Sequence, residues 1–420
     1  MVRSIKTRLS VMMFLQYSVA GVVAPIISHY LKNHLRFEPF QVGQILAMPA
    51  VAATVAPFLI VYIADRAVSA ERLLAMTHFL AGAAMLVLSV QTRFWTVLVL
   101  YFAYGLLFMP TYALTNAVAF HHIVDARRDF GSIRMWGPLS WVVVALSFSF
   151  VWLRGGAATG LNTRLADALK VSAFLSCALG VYALTLPLSQ VKSEQSMGLS
   201  LGKAFAVFAR PSMVLLCVVT FLNAAVHQFY YYGMSPFLSQ IGFPDKYIMP
   251  AMSTGQFAEF FVLALLGVCL AKIGIKGTLI IGVVTQAARC LAFATGNRLL
   301  TLFAIPSHGI CYACFFAVAY IYVDRHSTPE NRAGAQQLFN ILITGIGCLG
   351  GNLWAGKTAE FLTPPGTTQT DFAAFWIISA VIALFVAVLL LFFKEEEPSM
   401  LAESSAKSRK GTQDWQLQQK

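Results

Sequence analysis

The sequence predicts an all-α membrane protein of twelve transmembrane helices arranged as two six-helix halves. Three observations carry that reading: 58% of the 420 residues are hydrophobic, only 11% are charged, and the apolar residues gather in long runs from end to end. Ordinary soluble domains carry about 25% charged residues, whereas the mean hydropathy here is +0.70. The runs place spans near 10–31, 41–64, 73–90, 94–119, 133–153, 168–189, 211–239, 247–271, 277–295, 299–323, 334–356 and 372–393. Each is long enough to cross a hydrocarbon core of about 30 Å as a helix. Basic residues precede the first run, but the run is long and no small-residue cleavage site follows, so it reads as a retained first helix.

The formal net charge of +12 raises the question of nucleic acid, and its distribution answers it. With both termini on one side, that side collects Arg3, Lys6, Arg8, Arg127, Arg128, Lys272, Lys276 and Lys394, among others. The opposite loops hold fewer, such as Lys32, Arg93 and Arg154. The excess follows the positive-inside rule and predicts cytoplasmic termini. No basic patch is interleaved with a soluble domain, which argues against a nucleic-acid partner. All 7 cysteines fall in apolar segments, so a disulfide framework is not expected. Cys311 and Cys314 have redox or metal spacing, but inside a membrane helix they read as small packing residues.

The longest polar stretch between spans, 190–206, divides six helices from six and reads as a cytoplasmic linker between halves at 1–189 and 207–394. The segment 395–420 is polar and reads as a disordered cytoplasmic tail. The loops support duplication. Asp65, Arg66 and Arg72 follow the second span, and Gly267-x-x-x-Ala271-Lys272-x-Gly274-x-Lys276 occupies the equivalent place after the eighth. The first keeps an acid and lacks the glycines; the second keeps the glycines and lacks the acid. Likewise Asp125 to Arg128 after the fourth span has a counterpart in Asp324 to Arg332 after the tenth. Two six-helix halves related by an axis along the membrane normal form the pattern of major facilitator transporters, and Asp65, Arg66 and Arg72 then belong to a conformational loop.

Of 18 acids, Glu259 falls in the middle of a long apolar stretch. A bare charge at bilayer depth costs at least about 2.5 kcal/mol, so this carboxyl must be neutral, paired or facing a water-filled cavity. Gln256 lies one helical turn before it on the same face. Arg134 opens the fifth span and reads either as a cytoplasmic anchor beside Arg127 and Arg128 or as a fork of donors aimed between the halves, with Trp136 and Trp141 as apolar walls. In the seventh span, Gln228 and Tyr231 share a face in His227-Gln-Phe-Tyr-Tyr-Tyr232. Amides and phenols beside flat rings suit a heterocycle or a sugar. His227 reads as a packed histidine or as a group that titrates near neutral pH. Arg289 in the ninth span is a second buried cation, and charge alone permits a pair with Glu259. His308 and Tyr312 lie one turn apart in the tenth span.

Several stretches, taken together, resemble the nucleoside:proton symporter family across nearly the whole chain. They are Phe14-Leu15-Gln16-Tyr17, Met109-Pro110-Thr111 through Asn116, Ile133-Arg134-Met135-Trp136-Gly137, Gln256-x-x-Glu259, Ile273-Gly274-Ile275-Lys276 and the run from Gly345 to Gly351. The resemblance implies that Arg134, Gln228, Gln256 and Glu259 contact a nucleoside, and that Trp141 and Tyr312 stand at aromatic positions. Three positions depart from the family pattern: Pro138 replaces a threonine, Tyr231 an asparagine, and Ala313 a second carboxylate.

The expectation is a secondary active transporter that takes up nucleosides by alternating access, with Glu259 as proton carrier and His227 or His308 as weaker candidates. It would work as a monomer in a bacterial inner membrane, with nucleoside, proton and lipid bilayer as its partners and no cofactor or metal. The altered positions motivate an alternative cargo, a sugar or other small polar metabolite on the same fold; a non-transporting sensor is the remaining class. No nucleophile with base and orienter, no metal-ligand spacing and no phosphate loop points to an enzyme.

Overall fold

The structure, a computed structural model, describes residues 2–64, 69–123, 126–153, 163–188, 201–328 and 331–396. Asp65, Arg66, residues 190–200 of the expected linker and residues 397–420 of the expected tail lie outside the described residues.

Helices follow the apolar runs. In chain order they are α1 (Val2–Gly21, resumed at Ile27–His29 and Tyr30–His34), α2 (Pro39–Ala64), α3 (Ala70–Leu88) and α4 (Phe94–Phe108 with Thr111–His122). Then come α5 (Asp129–Trp152) and α6 (Arg164–Leu184). A short helix, Leu201–Phe208, precedes α7 (Pro211–Gln240). The stretch Asp245–Ala294 holds two helices, α8 and α9, broken at Gly274, whose backbone is not helical. The second half ends with α10 (Arg298–Arg325), α11 (Arg332–Phe361) and α12 (Phe372–Leu391).

Gly274 adopts φ 70°, ψ −178°, a backbone conformation that glycine reaches without a Cβ penalty, and there the chain folds back between the eighth and ninth spans. The carboxylate that this loop lacks in sequence arrives from elsewhere. Glu395, beyond the end of α12, accepts the Lys276 backbone N–H at 2.7 Å, and Lys276 Nζ reaches the Leu391 carbonyl at 2.6 Å. An acid beside the first free N–H groups of α9 also complements the helix dipole.

Within the first six helices, α3 packs along α6 and α1 along α5; within the second six, α7 packs on α11 and the α8–α9 stretch on α12. Across the two sets, α2 meets α11 and α5 meets α8. These crossings close at the end of the molecule away from the N-terminus. A Cβ on Gly43 of α2 would lie 2.6 Å from the Asn352 carbonyl oxygen and 2.9 Å from the Gly356 Cα, so the two backbones touch. Beside them, Tyr232 OH donates to the Pro39 carbonyl at 2.8 Å, Ser28 Oγ donates to the Tyr232 carbonyl, His29 Nε2 meets Asp245 Oδ1 at 3.0 Å, and Lys32 Nζ donates to Thr370 Oγ1 at 2.6 Å. These 4 hydrogen bonds link the two sets. The far end of each set is tied internally instead, for example by Lys6–Asp129 between α1 and α5 and by Arg332–Asp324 between α11 and α10.

Replacing Gly43 by leucine must push α2 off α11, since backbone atoms cannot move aside as a side-chain tip can. Overpacking of this kind costs about 1–3 kcal/mol. The expected outcome is a lowered thermal unfolding midpoint of the purified protein in detergent, and an unchanged midpoint would contradict the backbone contact.

Candidate functional site

Glu259 sits half-buried on α8, one turn beyond Gln256. Its backbone is pressed against α10: a Cβ on Gly309 would fall 2.2 Å from the Glu259 nitrogen. Only a residue without a side chain permits that approach, which is why His308-Gly309 stands where the two helices meet. Across the gap, the Glu259 carboxylate lies within electrostatic reach of Arg134 on α5. The two do not approach within salt-bridge distance.

Arg134 is held by an aromatic face. Its guanidinium carbon lies 4.2 Å from the centroid of the Tyr17 ring on α1, a cation–π contact worth about 0.5–2 kcal/mol depending on desolvation. Tyr17 in turn packs on Tyr112 of α4 at 5.0 Å. The Gly137 of the Arg-x-Trp-Gly motif has a definite task here. A Cβ at that position would stand 2.7 Å from Arg134 Nη1 and 2.8 Å from the Tyr17 ring, so the glycine makes room for the stacked pair.

Tyr312 on α10 interacts electrostatically with Glu259, Tyr17 and Arg134, and Tyr231 on α7 with Glu259. Tyr312 nevertheless keeps 37% of its surface exposed. A side chain in the middle of a span, among groups of both halves, with that much free surface has room for a partner that the described residues do not supply. The neighbouring wall is amide-lined. Gln228 Nε2 donates to Cys348 Sγ at 3.0 Å and its Oε1 accepts from Asn352 Nδ2 at 3.2 Å, while Asn352 also donates to the Cys348 carbonyl at 2.8 Å. The Gln256 amide oxygen is buried without a protein donor among the described residues. An acceptor left open beside a carboxylate and a guanidinium is suited to a ligand that brings its own donors.

The structure therefore brings Arg134, Tyr231, Glu259 and Tyr312 together, with Gln256 one turn along and Gln228 on the adjoining wall. Three expectations change. Arg289 does not pair with Glu259; its Nη1 lies 2.8 Å from His308 Nδ1 and its guanidinium covers Tyr230 at 4.6 Å. His308 is only 1% exposed, so it stands behind the wall and not on its surface. Trp141 packs on α1, where a Cβ on Gly21 would lie 3.0 Å from the Trp141 Cα, which makes it part of the α1–α5 contact. Arg72 is exposed at the start of α3, apart from this group. Sequence reasoning missed Tyr17 as the arginine's platform, and Cys348 and Asn352 as the partners of Gln228. For Asn352 a signal existed, an amide at membrane depth, which needs a partner inside the bundle.

Comparison with known proteins identifies the family. The sequence profile of the family described as nucleoside H+ symporter matches residues 3–398. YegT of Escherichia coli K12 is 31% identical over 410 residues, covering 94% of this chain and 95% of that protein. The nucleoside permease NupG of the same strain is 26% identical, with coverage of 91% and 94%. The crystal structure of the nucleoside transporter NupG superposes with a TM-score of 0.83 at 24% identity, over 93% of this chain and 100% of that one. A D-xylose–proton symporter superposes with a TM-score of 0.71 at 13% identity, over 93% and 98%, a likeness of fold alone. The chain belongs to the nucleoside H+ symporter family and is a membrane transporter of the major facilitator fold, not an enzyme.

Proposed function

We propose that this protein carries nucleosides into a bacterial cell across the inner membrane together with protons, working as a monomer with both termini in the cytoplasm. The observation that carries the reading is the placement of Glu259, which faces Arg134 across the space between the halves and is flanked by amides and phenols. The units that rock are 1–189 and 207–394, joined by 190–206, and Asp65, Arg66 and Arg72 form the loop that changes partners as they move.

With the termini inside, the contacts at Gly43 and Gly356 close the outer end, and the space around Tyr312 faces the cytoplasm. A nucleoside fits such a space in parts. Ribose hydroxyls bring the donors that Gln256 and Glu259 accept, the base finds Gln228 and Arg134 for its polar edge, and Tyr231 and Tyr312 offer rings to its faces. A protonated Glu259 both donates and accepts and leaves Arg134 free for the cargo. A deprotonated one attracts Arg134 and competes with the cargo for it. The two protonation states thus bind substrate differently, which is the condition for coupling. Trp141 stiffens the α5 wall from behind, and His308 supports the α10 wall.

The carboxylate is tested by Glu259→Gln in proteoliposomes. Wild type is expected to accumulate radiolabelled uridine or adenosine when the source side is acidified. The variant is expected to lose that accumulation at least about tenfold while still exchanging nucleoside without a gradient. Gradient-driven accumulation by Glu259→Gln would remove this residue from the coupling step.

Cargo is tested separately with Gln228→Ala. Losing one amide contact to substrate weakens binding by about tenfold for each 1.4 kcal/mol. In thermal-shift titrations, nucleosides are expected to stabilise wild type and the Ala variant only at higher concentration. Stabilisation by saccharides and none by nucleosides would transfer the site to a sugar.

A further inference from the structure

Behind the cavity wall of the second half lies a polar cluster that the transport reading does not use. Arg289 on α9 is 2% exposed, and among the described residues no carboxylate lies within salt-bridge distance of it. Removing a guanidinium from water without an anion is costly, and residues of this kind inside membranes are commonly functional. Its compensation is aromatic and imidazole: Nη1 bonds His308 Nδ1 at 2.8 Å, and the guanidinium carbon sits 4.6 Å from the Tyr230 ring centre. Its Nε has no partner among the described residues.

The pairing fixes the state of His308. Arginine only donates, so Nδ1 must accept and the ring proton must sit on Nε2. An imidazolium carries hydrogen on both nitrogens and would lose this bond while placing two cations in contact. The groups that face His308 are few. α7 presents His227, stacked at 4.9 Å, with Tyr230 at 4.8 Å and Tyr231 at 5.9 Å. α9 presents Arg289, and α8 approaches through Gly255, whose Cβ would meet the His308 Cβ at 3.0 Å. Glu259 comes in through its backbone at the next residue, Gly309.

His308 also stands at the least regular part of α10. A 3-10 turn, Ile305–Ser307, precedes it and a π-helical stretch, Tyr312–Ala317, follows its single α turn. Such departures from regular helix are held in place by specific contacts and gather at functional sites. The residue after His308 carries the Glu259 backbone, and the residue one turn later is Tyr312.

We infer that Arg289 is a positioning residue for proton-coupled transport: through its bond to His308 it sets α10 against the Glu259 backbone and keeps this histidine out of the proton path. The inference rests on the transport reading above and adds a residue that touches neither cargo nor proton. Arg289 works through three helices at once, because His227, stacked on the same imidazole, precedes Gln228 and contacts Tyr231 and Tyr312.

The test compares Arg289→Met, Arg289→Lys and His308→Asn with wild type in nucleoside counterflow over pH 5–8, alongside 15N NMR of histidine-labelled protein in nanodiscs. Lysine keeps a donor and a charge; asparagine keeps an acceptor near the Nδ1 position. The expected result is a KM raised at least about tenfold in Arg289→Met, with Arg289→Lys and His308→Asn within about threefold of wild type. Arg289→Met is also expected to release His308 from a single tautomer, since no obligate donor then meets Nδ1. In the spectra, the Nε2–H form of His308 should be the one neutral form in wild type and should mix with the Nδ1–H form in Arg289→Met, a signal that needs no substrate. Wild-type KM in Arg289→Met, or an Nδ1–H His308 in wild type, would overturn the inference. Equal damage in the Met and Lys variants with His308 still in its Nε2–H form would reduce Arg289 to packing. Absence of counterflow in wild type would overturn the transport reading itself, and is distinguishable because the spectra report on His308 independently.

Discussion

A single carboxylate opposite a single guanidinium, each on a different half of a membrane protein, is the constraint around which this molecule is arranged. Neither charge is tolerable alone at bilayer depth, yet the two are not in salt-bridge contact. Their attraction is therefore a force between bodies as well as a stabilising contact, and it exists only while Glu259 is ionised. Attraction through low dielectric is long-ranged compared with water. Protonating Glu259 would remove it, so under the coupling proposed above a proton would alter the relation between the two six-helix units without touching their packing.

Such a force is useful only if the units themselves do not deform. In the first half, Gln16, His78, Thr111 and Ser176 tie α1, α3, α4 and α6 into one buried network with bonds of 2.7–2.9 Å. Breaking one member would strand a buried polar group at a cost of about 1–3 kcal/mol. Gly137 and Tyr17 then fix Arg134 to that frame. In the second half, Gly309 and Gly351 bring α8 onto α10 and α7 onto α11 at backbone distance. Glycine at these crossings replaces adaptable side-chain packing with rigid backbone contact, as helices packing in a membrane commonly do.

The sequence disclosed these features unevenly, for physical reasons. Helix number and the turn at Gly274 were legible, because spanning length and glycine conformation are properties of local sequence. Glu259, Gln256 and Arg134 were legible because lipid depth makes any polar residue conspicuous. What sequence could not supply was pairing. Arg289 and Glu259 are opposite charges in neighbouring spans, so charge alone united them; the fold instead turns Arg289 toward the His308 imidazole of α10 and the Tyr230 ring of α7. Trp141 looked like a cavity wall because aromatic character does not reveal azimuth on a helix that is apolar all round. Glu395, remote from Gly274 in sequence, supplies the acid that its loop lacks, and no local pattern announces a partner delivered by tertiary structure.

The end that closes around Gly43 must also reopen, and Lys32 shows how its stability is held down. This lysine, one residue beyond the first expected span, is 5% exposed in the closed arrangement, with Thr370 Oγ1 and the Phe372 ring, 4.9 Å away, as its neighbours. Among the described residues no carboxylate lies within salt-bridge distance of it, so burying this ammonium costs free energy that only its bond to Thr370 and the Phe372 ring offset. Lys32 is thus a load on the closed end, set against the other three hydrogen bonds between the halves there. A gate built from strong contacts alone would stay shut. One that buries an ammonium without an acid beside them brings the closed and open forms closer in energy, which is the condition that the proposed proton coupling at Glu259 requires.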